Sequence, residues 1–290
     1  MLIQRIITGS ILAAIILFSA FKSDEYLSIV IGILTLAGAW EWAYLAGIDS
    51  PIRRAAFVVL TLLPMVGIHL WTYFLEFIAV SFDWAEVRNY SGIIEWLVVP
   101  PVLFWIVMMF IIRRTPEGIL NVKLKINLKL VTGWFVLVAT WMFLIRLRAL
   151  YGAEMTIYYL ILVWMADIAA YFVGRRFGKT KLSPEISPGK TVEGMYGAIA
   201  SGVICAIVLS FIYRFPIMIA SDFVLLSALT VLISIYGDLF FSVVKRQRGV
   251  KDSGTILPGH GGVLDRIDSS IAASPFFYAG VLLIHIGIIS

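Results

Sequence analysis

Long apolar runs separated by short polar stretches repeat along the whole chain, and the polar stretches differ sharply in charge. Nine runs stand out, at 4–21, 27–47, 55–79, 92–112, 131–150, 155–174, 195–213, 220–240 and 270–288. Each is close to the ~20 residues that cross a hydrocarbon core of ~30 Å as a helix. In lipid the backbone must satisfy its own polar groups, which leaves helices or closed barrels. The pattern therefore predicts an all-α, polytopic integral membrane protein with about nine transmembrane helices. The first run, with Arg5 at its start and Phe18-Ser19-Ala20 near its end, also has features of a cleaved signal peptide. Its charged region is weak, however, and many spans follow it.

Composition supports this class. Of 290 residues, 61% are hydrophobic and 14% charged, whereas soluble domains run at about half apolar and about a quarter charged. The single cysteine, Cys205, excludes an intrachain disulfide and any CxxC site. His69, His260 and His285 are scattered and give no zinc motif. The net charge of +5 comes without a nucleic-acid-binding motif, so no nucleic-acid partner is expected. Membrane topology explains it better: loops after even-numbered spans carry 17 Lys/Arg and loops after odd-numbered spans 5. By the positive-inside rule the N-terminus and the even loops are cytoplasmic and the C-terminus is outside. Lys123, Lys125 and Lys129 alternate with apolar residues in an interfacial segment. That segment divides an N-terminal transmembrane bundle, 1–130, from a C-terminal catalytic region, 131–290. Its charge suits anionic lipid, either as an anchor or as a recruiter of substrate.

The stretch Ser242–Asp268 changes the picture. It packs five Lys/Arg, three Asp, one His and a Pro-Gly-His-Gly-Gly turn between two apolar runs. Asp238, Ser242 and Lys245 fall on one helix face. Asp265 and Asp268 share another if a helix begins near Leu264. The turn at 258–262 lets the chain fold back and bring Asp265 towards Asp238. Two such carboxylates suit Mg²⁺, which takes one or two of them and leaves its other positions to water and phosphate. Lys245, Arg246, Lys251 and Arg266 would meet the remaining negative charge. Simple pairing across the interface is the plainer explanation for any one Asp, but the density of charge favours phosphate chemistry.

A second constellation runs from Gly174 to Gly194. Gly189-Lys190-Thr191 suggests a P-loop, but Pro184 stands where that motif needs glycine and no strand precedes it. What remains is a Ser187-Pro188-Gly189-Lys190-Thr191 turn entering a helix, whose N–H groups and Lys190 can bind phosphate. Glu193 reads as a cap for that helix rather than a metal ligand. Asp167 and Tyr171 lie one turn apart inside the sixth run. A charge at that depth costs ~2.5–3.5 kcal/mol and marks function by default, unless Arg175 or Arg176 neutralises it. Glu41 is similar and less informative, and His285 reads as packed or interfacial.

At these residues the chain resembles the phosphatidate cytidylyltransferase (CDP-diacylglycerol synthase) family of bacterial inner membranes. The family signature is met at Ser242, Lys245, Arg246, Lys251, Asp252, Gly254, Leu257, Pro258, His260, Gly261, Gly262, Asp265, Arg266 and Asp268. Gly237-Asp238-Leu239, the segment 187–194 and the segment 166–172 are also similar to family segments. The resemblance is strong over roughly 160–270 and otherwise limited to hydropathy and size. It implies transfer of a cytidylyl group from CTP to phosphatidic acid at a cytoplasmic-face active site. It assigns Asp238 and Asp265 to Mg²⁺, with Asp268 supporting and a second metal ion left open. Lys190, Lys245, Arg246, Lys251 and Arg266 would hold phosphates, aided by the turn residues Ser187 and Thr191 and by Gly261 and Gly262. Ser242 and His260 would be polar positioners. It also implies a homodimer in the bacterial inner membrane. The alternatives are a related CTP-dependent enzyme with another lipid acceptor and, from a different class, a transporter or a binding protein.

Overall fold

The hydropathy pattern becomes helix almost throughout. A computed structural model describes residues 2–257 and 261–289. Its helices are α1 (Leu2–Lys22), α2 (Asp24–Ala46), α3 (Pro51–Ser81), α4 (Ile93–Trp96), α5 (Val99–Arg114), α6 (Pro116–Asn121), α7 (Ile126–Phe177), α8 (Val192–Tyr213), α9 (Ile217–Arg248) and α10 (Leu264–Ile289). Among the described residues seven helical segments are long and apolar enough to cross a membrane, and Thr8–Lys22 is a shorter apolar helix. The protein is an all-α, multi-pass membrane protein.

Helix α7, with 52 residues, would run about 78 Å if straight, more than two bilayer cores. Gly152 interrupts it with φ 83° and ψ 178°, a combination open essentially to glycine alone. The two stretches either side correspond to the runs 131–150 and 155–174. Other ends follow local chemistry. Ser23 accepts a hydrogen bond from the Tyr26 N–H, with Asp24 and Glu25 in the first turn of α2, where negative charge opposes the helix dipole.

The bundle packs around α7, against which α2, α8 and α10 all lie, while α9 fills the space between α8 and α10. Rings lock α7 to α10: Phe143 meets Tyr278 at 5.1 Å and Tyr159 meets Phe277 at 5.3 Å between centroids. Buried hydroxyls reinforce the joint, with Tyr159 donating to the Ser270 carbonyl at 2.9 Å. A second aromatic cluster, Trp42, Trp105, Phe240 and Phe241, ties α2 and α5 to α9. Outside, Phe211, Met218 and Leu283 are among many exposed large apolar side chains. Such a surface is a liability in water and a match for lipid.

One segment departs from the expected turn. The chain from 181 to 191 forms an antiparallel hairpin of β1 (Lys181–Ser183) and β2 (Ser187–Thr191), pairing Ser183 with Ser187 and Lys181 with Thr191. Ile186, at its tip, is fully buried against the α9 cluster. That anchor lets so short a hairpin hold its register, and composition alone does not reveal it.

Candidate active site

Four elements converge on one partly buried charge cluster. On α9, Asp238 Oδ1 accepts from Ser242 Oγ at 3.4 Å, and Lys245 follows one turn on. From β2 comes Lys190, whose Nζ lies 2.6 Å from Asp238 Oδ2 and also donates to the Ile235 carbonyl at 3.2 Å. The start of α10 brings Asp265 and Asp268. Lys245 Nζ lies 2.6 Å from Asp265 Oδ1. Asp265 Oδ2 accepts from the Ser253 N–H at 2.8 Å, Ser253 Oγ at 3.0 Å and the Gly262 N–H at 3.0 Å. Asp268, buried, comes within hydrogen-bonding reach of Asp238 and accepts from the Ser269 N–H at 2.8 Å. Asp167 on α7 accepts from Ser269 Oγ at 3.3 Å.

The hairpin and α8 fix where Lys190 points. Thr191 is the N-cap of α8, its Oγ1 accepting from the Gly194 N–H at 3.1 Å. Glu193, expected as a cap, meets its own N–H in the first turn of α8 and also accepts from the Thr180 N–H with both oxygens, at 3.1 and 3.2 Å. It therefore latches the chain leaving α7 onto α8.

These groups line a cavity of about 720 Å³, with Arg175, Lys181 and Arg266 adding positive charge. A second chamber of about 470 Å³ shares Asp167, Asp265, Arg266 and Asp268 with it. The rest of its wall is mostly apolar and includes Ile16, Leu34, Leu160 and Trp164. The two cavities thus meet at shared carboxylates and Arg266, a charged one on one side and a mostly apolar one on the other.

Of the residues expected from sequence, Lys190, Thr191, Asp238, Lys245, Asp265, Arg266 and Asp268 line the polar cavity. Ser242 and Gly262 support it through Asp238 and Asp265. The Gly261 carbonyl accepts from the Leu257 N–H at 3.0 Å. Ser187, Arg246 and Lys251 are not in the lining, and Arg246 donates to the Val250 carbonyl at the end of α9. His260 lies outside the described residues. Arg175, offered as a neutraliser of Asp167, donates to the Tyr171 hydroxyl at 3.0 Å. His285 packs edge-on to Tyr151.

Glu41 carries more than its sequence context promised. It is 1% exposed and accepts from the Val263 and Leu264 N–H groups, each at 2.9 Å, and from Ser253 Oγ at 2.8 Å. The only signal in the sequence is a carboxylate inside an apolar run.

The donor set suits a hard divalent cation. Asp238 and Asp268 are neighbouring carboxyl groups, an arrangement that favours a shared proton or a nearby cation. Among the described residues no three His, Cys, Asp or Glu side chains form a ready-made cage. Mg²⁺ does not require one, since it keeps waters and takes phosphate oxygens.

A partly buried cluster of Lys and Asp, set between a charged chamber and an apolar one, suits a membrane enzyme acting on phosphates. The sequence pattern of the Cytidylyltransferase family matches residues 3–284, and the chain belongs to that family. It is 36% identical over 293 residues to the phosphatidate cytidylyltransferase of Haemophilus influenzae, covering 96% of this chain and 97% of that one. To the phosphatidate cytidylyltransferase of Pseudomonas aeruginosa it is 37% identical over 281 residues, 96% of each chain. The Bacillus subtilis protein of the same name is 45% identical over 131 residues, 44% of this chain and 47% of its own.

Proposed function

We propose that this protein transfers a cytidylyl group from CTP to phosphatidic acid, giving CDP-diacylglycerol and pyrophosphate. The observation that carries the reading is the adjacency of the Lys190–Asp238 and Lys245–Asp265 chamber to an apolar one that shares its wall. A nucleotide triphosphate needs the first, and the tails of a lipid phosphate need the second. The names of the full-length relatives point the same way.

In this reading a phosphate oxygen of the lipid attacks the α-phosphorus of CTP, and the bond from that phosphorus to the leaving pyrophosphate breaks. A phosphate monoester is already largely ionised near neutral pH, so no strong base is needed. The work of the chain is to position two polyanions and hold their charge. Lys190, Lys245 and Arg266 face the cavity where those anions would meet. Lys190 and Lys245 sit on carboxylates, and each can exchange its carboxylate for a phosphate oxygen. Asp238, with Asp268 behind it, would hold Mg²⁺, and release of Lys245 would open Asp265 Oδ1 as a further ligand. Bound there, Mg²⁺ would supply charge neutralisation for the phosphates.

The charge asymmetry of the loops supports an N-terminus in the cytoplasm and a site reached by cytosolic CTP, in the inner membrane of a bacterium. The family resemblance adds a homodimer, checked by mass measurement in detergent.

The test is a panel of acceptors. Purified protein would be given labelled CTP, Mg²⁺ and phosphatidic acid, an isoprenoid-ether phosphate or a polyprenyl phosphate. Label in the lipid phase with phosphatidic acid, and release of pyrophosphate, are expected. Turnover confined to another lipid would replace the acceptor, and no turnover with any of them would overturn the reading.

A further inference from the structure

Glu41 lines neither cavity, yet it holds the first turn of α10, which carries Asp265, Arg266 and Asp268. Its carboxylate receives the N–H groups of Val263 and Leu264 at the start of α10. Such groups have no partner inside their own helix, and a negative charge there also meets the positive end of the helix dipole. The cap of α10 thus comes from another helix, 222 residues away in sequence from Val263. The space around it is closed. A Cβ on Gly254 would stand 2.4 Å from Glu41 Oε1, and one on Gly262 would stand 2.4 Å from Oε2. Both approaches are too close for any residue but glycine.

The connection onward runs through Ser253. Its hydroxyl lies 2.8 Å from Glu41 Oε2 and 3.0 Å from Asp265 Oδ2, while its N–H donates to the same Asp265 oxygen. The other oxygen of Asp265 holds Lys245. One short path therefore leads from the interior of α2 to a lysine of the active cavity.

We infer that Glu41 is a positioning residue for the transfer reaction: through Ser253 and the first turn of α10 it sets the places of Asp265, Lys245 and Asp268. This rests on the reaction proposed above. Glutamine is the informative replacement because it keeps the shape. Its amide offers one acceptor oxygen and a donor NH₂, which must then face one of three donors.

The experiment uses the full chain purified in detergent, as wild type, Glu41→Gln, Ser253→Ala, Gly254→Ala and the Glu41→Gln/Ser253→Ala double variant. Two quantities are read: kcat and KM for CTP, and hydrogen exchange of peptides spanning 251–257 and 261–268 without substrate. Glu41→Gln is expected to lower kcat by about 10- to 100-fold, the range for residues that orient a site from behind. KM for CTP should change by less than about threefold, as for an interaction used in the transition state. Loop exchange should quicken while that of α8 stays as in wild type. The double variant should lose no more than the worse single one, because both act through one contact.

Wild-type exchange in a folded Glu41→Gln protein would overturn the inference, as would faster exchange with unchanged kcat, or losses that multiply in the double variant. If Glu41→Gln does not fold, Gly254→Ala, which crowds the same carboxylate from outside, is read by the same criteria. A wild type that turns over no lipid would count against the reaction, and the exchange data would still decide whether Glu41 clamps the loop.

Discussion

Lys190 and Lys245 each hold a carboxylate that a phosphate can replace, and this exchange is the smallest unit of the proposed chemistry. Both pairs close at 2.6 Å, and both lysines retain a route to the cavity they line. Replacing Lys190 by Ala removes a charge-assisted donor from the place where negative charge gathers. We expect kcat/KM for CTP to fall by about 100-fold or more, with part of the loss recovered in Lys190→Arg. Steady-state kinetics on the two variants checks this, and equal activities in Ala and wild type would remove Lys190 from the site. At this scale the sequence was informative where partners are local. Asp238, Ser242 and Lys245 share a face by spacing, and the structure joins Ser242 to Asp238 and Lys245 to Asp265. Glu41 stayed in the background because the N–H groups it caps are a long chain distance away, and backbone donors carry no residue code.

Among the elements, the break in α7 and the hairpin before α8 set the geometry. Gly152 holds a conformation closed to other residues, so Gly152→Val should destabilise the protein by about 1–3 kcal/mol. A lower midpoint of thermal unfolding in detergent would register it. Thr191 caps α8 immediately after Lys190. Thr191→Ala should cost about 1 kcal/mol of stability and reduce turnover, while Thr191→Ser should restore both. Wild-type turnover in Thr191→Ala would separate the cap from the placement of Lys190. The two halves of α7 were legible as separate apolar runs, since a span of lipid limits helix length. The hairpin was not: its residues are polar, it is three and five residues per strand, and its register depends on Ile186 finding the α9 core.

Across the whole molecule, α1 and α2 wall the apolar chamber together with α7 and α10, and its charged side chains come from α7 and α10. Gly9, Ala13 and Ile16 of α1 face Leu160 and Trp164 of α7 across that chamber. Narrowing it with Ala13→Trp should lower turnover of a long-chain phosphatidic acid by about tenfold relative to a short-chain one, in keeping with the worth of a few methylenes in an apolar pocket. Equal losses with both lipids would show that the chamber does not hold the tails. Hydropathy outlined these N-terminal helices and family motifs did not reach them, yet the family match extends over 3–284. Side-chain pattern specifies a span, whereas the shape of an apolar cavity depends on how several spans pack. Sidedness is also open to test: Lys179→Cys, in the loop before the hairpin, should react with a membrane-impermeant maleimide from the cytoplasmic side alone.

The most direct measurement is transfer by purified protein given CTP and phosphatidic acid, with Mg²⁺ or with chelator, in wild type and Asp238→Asn. Lipid-linked cytidylate and pyrophosphate should form in equal amounts with wild type and Mg²⁺. Product should fall to background with chelator and in a folded Asp238→Asn protein. Full activity in Asp238→Asn, or product that does not depend on the metal, would contradict a reaction centred on Asp238.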